Sequence, residues 1–199
     1  MGAMRFLMII LLLAGFQMVR AAESPNILLI VTDEHNFRTL GCYRDHLPKE
    51  QAEMWGPGVI VQTPHIDRLA REGVICTRAY ATAPVCSPCR AAMITGLYPQ
   101  NTGVPTNNYK LRTDIPTLAS ILNKSGYETG FIGKWHLGFE APFRPREQGF
   151  ESYFGLLHNL DPVEVIYFEE EGGVPLMRND EVIKRPADPA ELTRRYTDE

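Results

Sequence analysis

Residues 26–32 read Asn-Ile-Leu-Leu-Ile-Val-Thr, an unbroken apolar run of strand length. A run without polar alternation fits a strand covered on both faces, which is the situation of a parallel strand inside an α/β sheet. The run ends abruptly on Asp33-Glu34-His35-Asn36. Polar groups just past the carboxyl end of a buried strand lie where open α/β sheets place their ligands. The first expectation is therefore an α/β fold with a site opening at Asp33 and Glu34.

The next segments extend that pattern. Thr63-Pro64 offers a cap and a first-turn proline, and Ile66, Leu69 and Ala70 share one face of a helix that Gly73 would end. Residues 74–80 have strand character. Ser87-Pro88 opens a second helix through Met93 and Ile94 to Gly96, and a third runs from about Thr117 to Ser125 with Leu118, Ile121 and Leu122 facing inward. Phe131-Ile132 belongs to a strand ending at Gly133. Alternation of strand and helix predicts a largely parallel sheet. The last part differs: residues 163–168 and 174–184 read as short strands, with turn signals at Gly172-Gly173 and Asn179-Asp180. The final residues, Tyr196 to Glu199, read as the start of a helix, so residues 22–199 are expected to be the N-terminal part of a longer domain.

The amino terminus carries a different signal. Arg5 precedes the apolar residues 6–16, and Val19-Arg20-Ala21 leads to smaller residues. A short basic start, an apolar middle and a small-residue exit predict a secretory signal peptide over residues 1–21, used by export machinery, with a membrane anchor as the alternative. The expected location is periplasmic or secreted. An exported chain can form disulfides, and Cys42 with Cys76 is a candidate pair among Cys42, Cys76, Cys86 and Cys89. A net charge of −4 gives no basic footprint for nucleic acid.

The sharpest motif is Pro84-Val85-Cys86-Ser87-Pro88-Cys89-Arg90-Ala91-Ala92-Met93-Ile94-Thr95-Gly96. A second is Gly126-Tyr127-Glu128-Thr129-Gly130-Phe131-Ile132-Gly133-Lys134-Trp135-His136. Together these segments resemble the two signatures of the type I sulfatases of the alkaline phosphatase superfamily. Their order fits as well, with residues 25–33 first, then residues 63–70, then the Cys segment, then Gly-Leu-Tyr-Pro at 96–99. The resemblance covers nearly all of residues 24–155. It implies an alkaline-phosphatase-like three-layer α/β sandwich with a mostly parallel mixed sheet, truncated here at its C-terminus.

The resemblance also implies a chemistry. Cys86 would be converted to formylglycine by a formylglycine-generating maturation enzyme that reads Cys-x-Pro-x-Arg. The aldehyde hydrates to a geminal diol; one hydroxyl attacks sulfur and the other then expels sulfate. This divides one hard displacement into two steps. Arg90 would hold the diol or the sulfate with its planar fork, Lys134 would contact both, and His136 would take a proton from the diol. The start of the helix near Pro88 suits a sulfate anion. Asp33, Glu34 and the Cys86 position would contribute to one calcium ion, with the remaining ligands further along the chain. His158 and Asn159 stand where relatives place substrate-facing groups. The substrate implied is a sulfate monoester of a sugar.

Two positions depart from the family pattern. Glu34 stands where a second Asp is usual, and Cys89 stands where Ser, Thr or Ala is usual. Cys89 creates a Cys-x-x-Cys spacing whose rival readings are a redox pair or half a zinc site. The same segments would also serve a phosphonate monoester or phosphodiester hydrolase of the superfamily. A non-catalytic binding relative and an inactive fragment are the two readings without catalysis. His35 and His65 read as surface or supporting residues, and Trp135 as packing.

Overall fold

The structure, a computed structural model, describes residues 24–160 and 171–199. The expected signal peptide and the expected strand at 163–168 lie outside the described residues. None of the described helices is long and apolar enough to cross a membrane. Two compact units divide the chain at Asn36.

In the first unit the described residues, 24–36, are extended without strand pairing. This corrects the expectation of a buried strand at 26–32. Ile27 to Val31 are all exposed, Leu28 to 85%. An apolar run becomes a strand only when a neighbour accepts its backbone hydrogen bonds, and no described strand pairs with it. Asp33 and Glu34 follow as a bend, with Glu34 at a positive φ of 54°.

The second unit begins with a short 3-10 turn, Phe37–Thr39, and three helices: α1 (Gly41–Arg44), α2 (Lys49–Ala52) and α3 (Pro64–Glu72). Thr63 precedes α3 as expected, but its hydroxyl does not cap that helix. It accepts from the Gly41 N–H at 2.8 Å and donates to Asp67 Oδ1 at 3.0 Å, and Asp67 also accepts from the Cys42 N–H at 2.8 Å. These bonds tie α1 to α3. The Ile66 and Leu69 face of α3 stays exposed, and residues 74–80 form no strand, with Val74 90% exposed. Cys42 and Cys76 are not joined; all four cysteines are free thiols.

The remainder packs tightly. It contains α4 (Cys86–Thr95), α5 (Pro99–Thr102), α6 (Leu118–Lys124), strands β1 (Gly130–Lys134), β2 (Ser152–Leu156), β3 (Leu176–Arg178) and β4 (Glu181–Lys184), and α7 (Pro189–Asp198). The four strands form one sheet in sequence order. β1 and β2 are parallel, whereas β2–β3 and β3–β4 are antiparallel. The sheet is thus mixed, as expected, and among the described residues it has one parallel pair and two antiparallel ones. Asn179 makes the β3–β4 turn possible at a φ of 54°, a left-handed value that asparagine tolerates well. The closing residues belong to α7, which starts earlier than expected, at Pro189, and is capped by Asp188 accepting from the Ala190 N–H at 3.0 Å.

Side chains of β2 alternate between two cores, because successive residues of a strand face opposite sides. Tyr153 and Leu157 join Ala91, Val104, Leu111, Trp135, Leu137 and Met177 on the α4 side. Phe154 and Leu156 join Val174, Leu176, Ala187 and Leu192 on the α7 side. Helices therefore cover both faces of the sheet, which is the three-layer α/β arrangement.

The helix α6 corrects another expectation. Thr117 and Ser120 form a capping box, but Leu118 and Ile121 are exposed and Ala119 is buried. Polar anchors set the rotation of this helix. Thr117 Oγ1 donates to the Gln148 carbonyl at 2.6 Å and Asn123 Nδ2 to the Gly149 carbonyl at 2.6 Å. Those bonds fix which face meets the protein.

Gly133 and Gly155 are direct partners across β1 and β2. A Cβ on residue 155 would overlap the backbone of Gly133. Gly155→Ala should therefore separate the parallel pair and destabilise the unit by about 2–4 kcal/mol, within the range of strained or overpacked sites. A urea denaturation midpoint measures this, and an unchanged midpoint would show that the strands do not meet so closely.

Candidate active site

The Cys segment folds as a helix because Val85 is extended (φ −124°, ψ 147°) and the residues after it are compact and helix-compatible up to Gly96. Gly96 closes α4 in the left-handed conformation, at a φ of 70°. Cys86 is the first residue of α4, two positions earlier than the sequence suggested. The first turn is partly committed. Ser87 donates its backbone N–H to Asn107 Oδ1 at 3.0 Å, Pro88 has no donor, and Cys89 donates to the Val85 carbonyl at 3.2 Å. The pull of this helix end on an anion therefore rests on the Cys86 N–H and the aligned peptide dipoles. Ser87 is fully buried and its hydroxyl has no hydrogen-bond partner. Sequence reasoning missed Asn107; the Asn107-Asn108 pair signals a turn, not a cap 20 residues away.

Arg90, one turn into α4, donates from Nη1 to the backbone carbonyl of Lys134. That bond joins the first motif to the second. Lys134 is the last residue of β1, and the ladder continues beyond it. The Trp135 N–H donates to the Leu156 carbonyl at 2.9 Å and the His136 N–H to the Leu157 carbonyl at 3.0 Å. His136 and His158 thus stand just past the carboxyl ends of a parallel pair, with ring centroids 6.4 Å apart. His158 also lies against Phe139, at 4.4 Å between centroids, and Asn159 follows it, half-buried.

His136 is buried and holds a φ of 61°, an uncommon conformation for a residue with a side chain. Strain of this kind persists only where the surroundings over-determine it. Trp135 provides part of that determination. It is fully buried, its indole N–H donates to the Phe143 carbonyl at 2.9 Å, and Phe131 and Phe150 pack edge-on against it. The expectation that Trp135 packs is thereby met.

Two tyrosines surround Arg90 that the sequence did not single out. Burial pushes the Tyr153 phenol well above its ordinary value, and its hydroxyl is 3.3 Å from the Gly133 carbonyl. Burial likewise pushes Tyr196 up to about 12, opposed by the nearby charge of Arg90, and the Tyr196 hydroxyl has no partner. The structure therefore brings together Arg90, Lys134, His136 and His158, with Cys86 at the head of the helix that carries Arg90.

Asp33 and Glu34 belong to the other unit and are exposed. The described residues contain no group of three or more His, Cys, Asp or Glu side chains placed to hold a metal ion. Calcium takes about six to eight oxygen ligands, and a thiol sulfur is a soft donor poorly matched to it. Asp33, Glu34 and Cys86 alone do not supply that set.

Comparison with known proteins places this chain in a family. The model of the Sulfatase family matches residues 25–186. N-acetylgalactosamine-6-O-sulfatase of Bacteroides thetaiotaomicron is 35% identical over 176 residues, covering 81% of this chain and 32% of the relative. Steryl-sulfatase of Rattus norvegicus is 35% identical, covering 68% of this chain and 24% of the relative. A solved structure of a protein in complex with its substrate D-glucosamine-2-N,6-O-disulfate superposes with a TM-score of 0.60 at 28% identity, covering 81% of this chain and 28% of that one. The chain belongs to the sulfatase family, and its mixed sheet between helices is the alkaline-phosphatase-like fold of that family. It spans 22% to 32% of the length of the curated relatives it matches.

Two outcomes are expected. Calcium titrated into the purified 199-residue chain should bind no more tightly than about millimolar, since the described residues offer no cluster of side chains placed to hold a metal ion; stoichiometric micromolar binding by calorimetry would contradict this. Stability should hold below the ordinary phenol value of 10.0 and fall as pH rises toward 12, because the unfolded chain then ionises phenols that the folded protein keeps neutral. Tyr196→Phe should reduce that fall without removing it, since Tyr153 remains.

Proposed function

We propose that this chain carries the nucleophile and half the anion-binding groups of an exported sulfatase that hydrolyses sulfate monoesters of sugars. The observation that carries the reading is the bond from Arg90 to the Lys134 carbonyl. It sets the head of the Cys86 helix beside the strand end that bears Lys134 and His136. The amino sugars named for the bacterial relative and for the solved complex support a sugar substrate.

In this reading Cys86, oxidised to formylglycine by a maturation enzyme, carries the attacking oxygen. Its place at a helix start puts the incoming sulfate against the positive end of the peptide dipoles. Arg90 ties the Cys86 helix to Lys134 and places its guanidinium charge on the first turn of that helix, where it attracts the anion. Lys134 supplies a compact positive charge as negative charge develops on the sulfate oxygens. His136, fixed by the backbone bond to Leu157, takes the proton that lets sulfate leave. His158 and Asn159 form the side of the site toward the alcohol. Asp33 and Glu34 would supply carboxylate oxygens to a calcium ion, whose charge would offset that of the sulfate. Residues 1–21 direct export to the periplasm or the exterior.

Kinetics of the natural gene product test this on a sulfate ester and on the phosphate and phosphonate esters of the same alcohol. The sulfate ester should be the preferred substrate. Cys86→Ala should abolish turnover, and Arg90→Lys should lower kcat/KM by about 10²–10³-fold, because a point charge cannot replace the fork. Preference for a phosphonate ester would overturn the assignment, and full activity of Cys86→Ala would overturn the nucleophile.

A further inference from the structure

The proposed reaction gives no task to Cys89, the second thiol of the Cys-Ser-Pro-Cys-Arg segment. Cys86 and Cys89 occupy the first and fourth positions of α4. Residues three apart in a helix share a face, with Cβ atoms about 5–6 Å apart. Ser87, Pro88, Ala91 and Ala92 point into the protein, whereas Cys86 and Cys89 are half-buried and Met93, on the same stripe, is exposed. Both thiols are thus neighbours on the accessible side of the helix, and both are free.

A disulfide needs its Cβ atoms about 3.5–4.5 Å apart, so the pair must close by about 1–2 Å. The first turn permits that. Val85 is extended and makes no side-chain cap. Ser87 is held by Asn107 and Pro88 is buried, so the movement falls on Cys86, the outermost residue. The helical bond at stake is the one from the Cys89 N–H to the Val85 carbonyl, at 3.2 Å.

We propose that Cys86 and Cys89 form a reversible intramolecular disulfide that masks the nucleophile position of the chain before its maturation, with a disulfide-bearing oxidant as co-reactant. The disulfide stands independently; the masking rests on the reading of Cys86 as the nucleophile precursor. The thiolate of one cysteine attacks the oxidant's disulfide, forming a mixed disulfide and expelling one thiolate. The thiolate of the other attacks the sulfur of the first cysteine and expels the second thiolate. The protein loses two protons and two electrons, and the oxidant becomes two thiols. Conversion of Cys86 to formylglycine removes the sulfur and ends the exchange.

Purified protein with Cys86 in the thiol form is equilibrated in glutathione buffers from fully reduced to fully oxidised, quenched with acid, alkylated and mapped by peptide mass spectrometry. The peptide carrying both residues should lose two hydrogen atoms and escape alkylation in oxidised buffer, and recover fully in reduced buffer. Cys89→Ser should abolish that change and leave Cys86 as a mixed disulfide with glutathione. Independent glutathionylation of Cys86 and Cys89, or pairing of Cys86 with Cys42 or Cys76, would overturn the proposal. In a second arm, the disulfide form and the reduced form of the unsubstituted protein, both freed of glutathione, are given to a formylglycine-generating enzyme, and Cys86 of the reduced form should be converted severalfold more. Equal conversion of both forms would overturn the masking. Conversion of neither form would overturn the sulfatase reading on which the masking depends while the mapped disulfide still stood.

Discussion

The site depends on one charged hydrogen bond, from the Arg90 guanidinium to the Lys134 carbonyl. Neither motif makes a site alone. The first is a helix start with a thiol; the second is a strand end with a lysine and a histidine. The guanidinium is always charged and its fork is planar, so it binds a backbone oxygen with a fixed geometry and keeps its charge. Lysine at the same position would offer one flexible point charge. The bond thus holds a Cys-x-Pro-x-Arg segment and a Gly-Lys-Trp-His segment, 44 residues apart between Arg90 and Lys134, side by side.

Everything around that bond serves to hold it. The parallel ladder between β1 and β2 runs past its strands to His136, so the histidine's backbone is fixed by Leu157. Glycine at 155 lets the strands approach, and the buried Trp135 locks the loop that follows. Tyr153 reaches under Gly133 from the neighbouring strand. Strain at His136 is the local cost of aiming its ring where the two strands end.

The sequence made this site legible because its chemistry is written in short, ordered segments. Cys86, Arg90, Lys134 and His136 were singled out by the resemblance of their segments to the sulfatase signatures, and α4 and β1 form within a few residues of where they were expected. What stayed hidden is non-local. The run at 26–32 has strand composition, yet a strand also needs a partner, and none of the described strands pairs with it. The rotation of α6 is set by carbonyls at Gln148 and Gly149, which no helical periodicity encodes. Asn107 reaches the helix start from 20 residues away, and Tyr196 comes to Arg90 from the far end of the chain. The antiparallel half of the sheet follows from the hairpin at Asn179, whose turn signal was visible, but its pairing with β2 was not.

In the proposed reaction Cys86 is a precursor and not a working thiol, and the mass of one peptide tests that most directly. In active protein isolated from its natural host, the peptide containing Cys86 should be about 18 Da lighter than its sequence requires, as an aldehyde replaces the thiol, and should react with a hydroxylamine probe. A peptide of unaltered mass from protein that hydrolyses sulfate esters at full rate would contradict the formylglycine assignment.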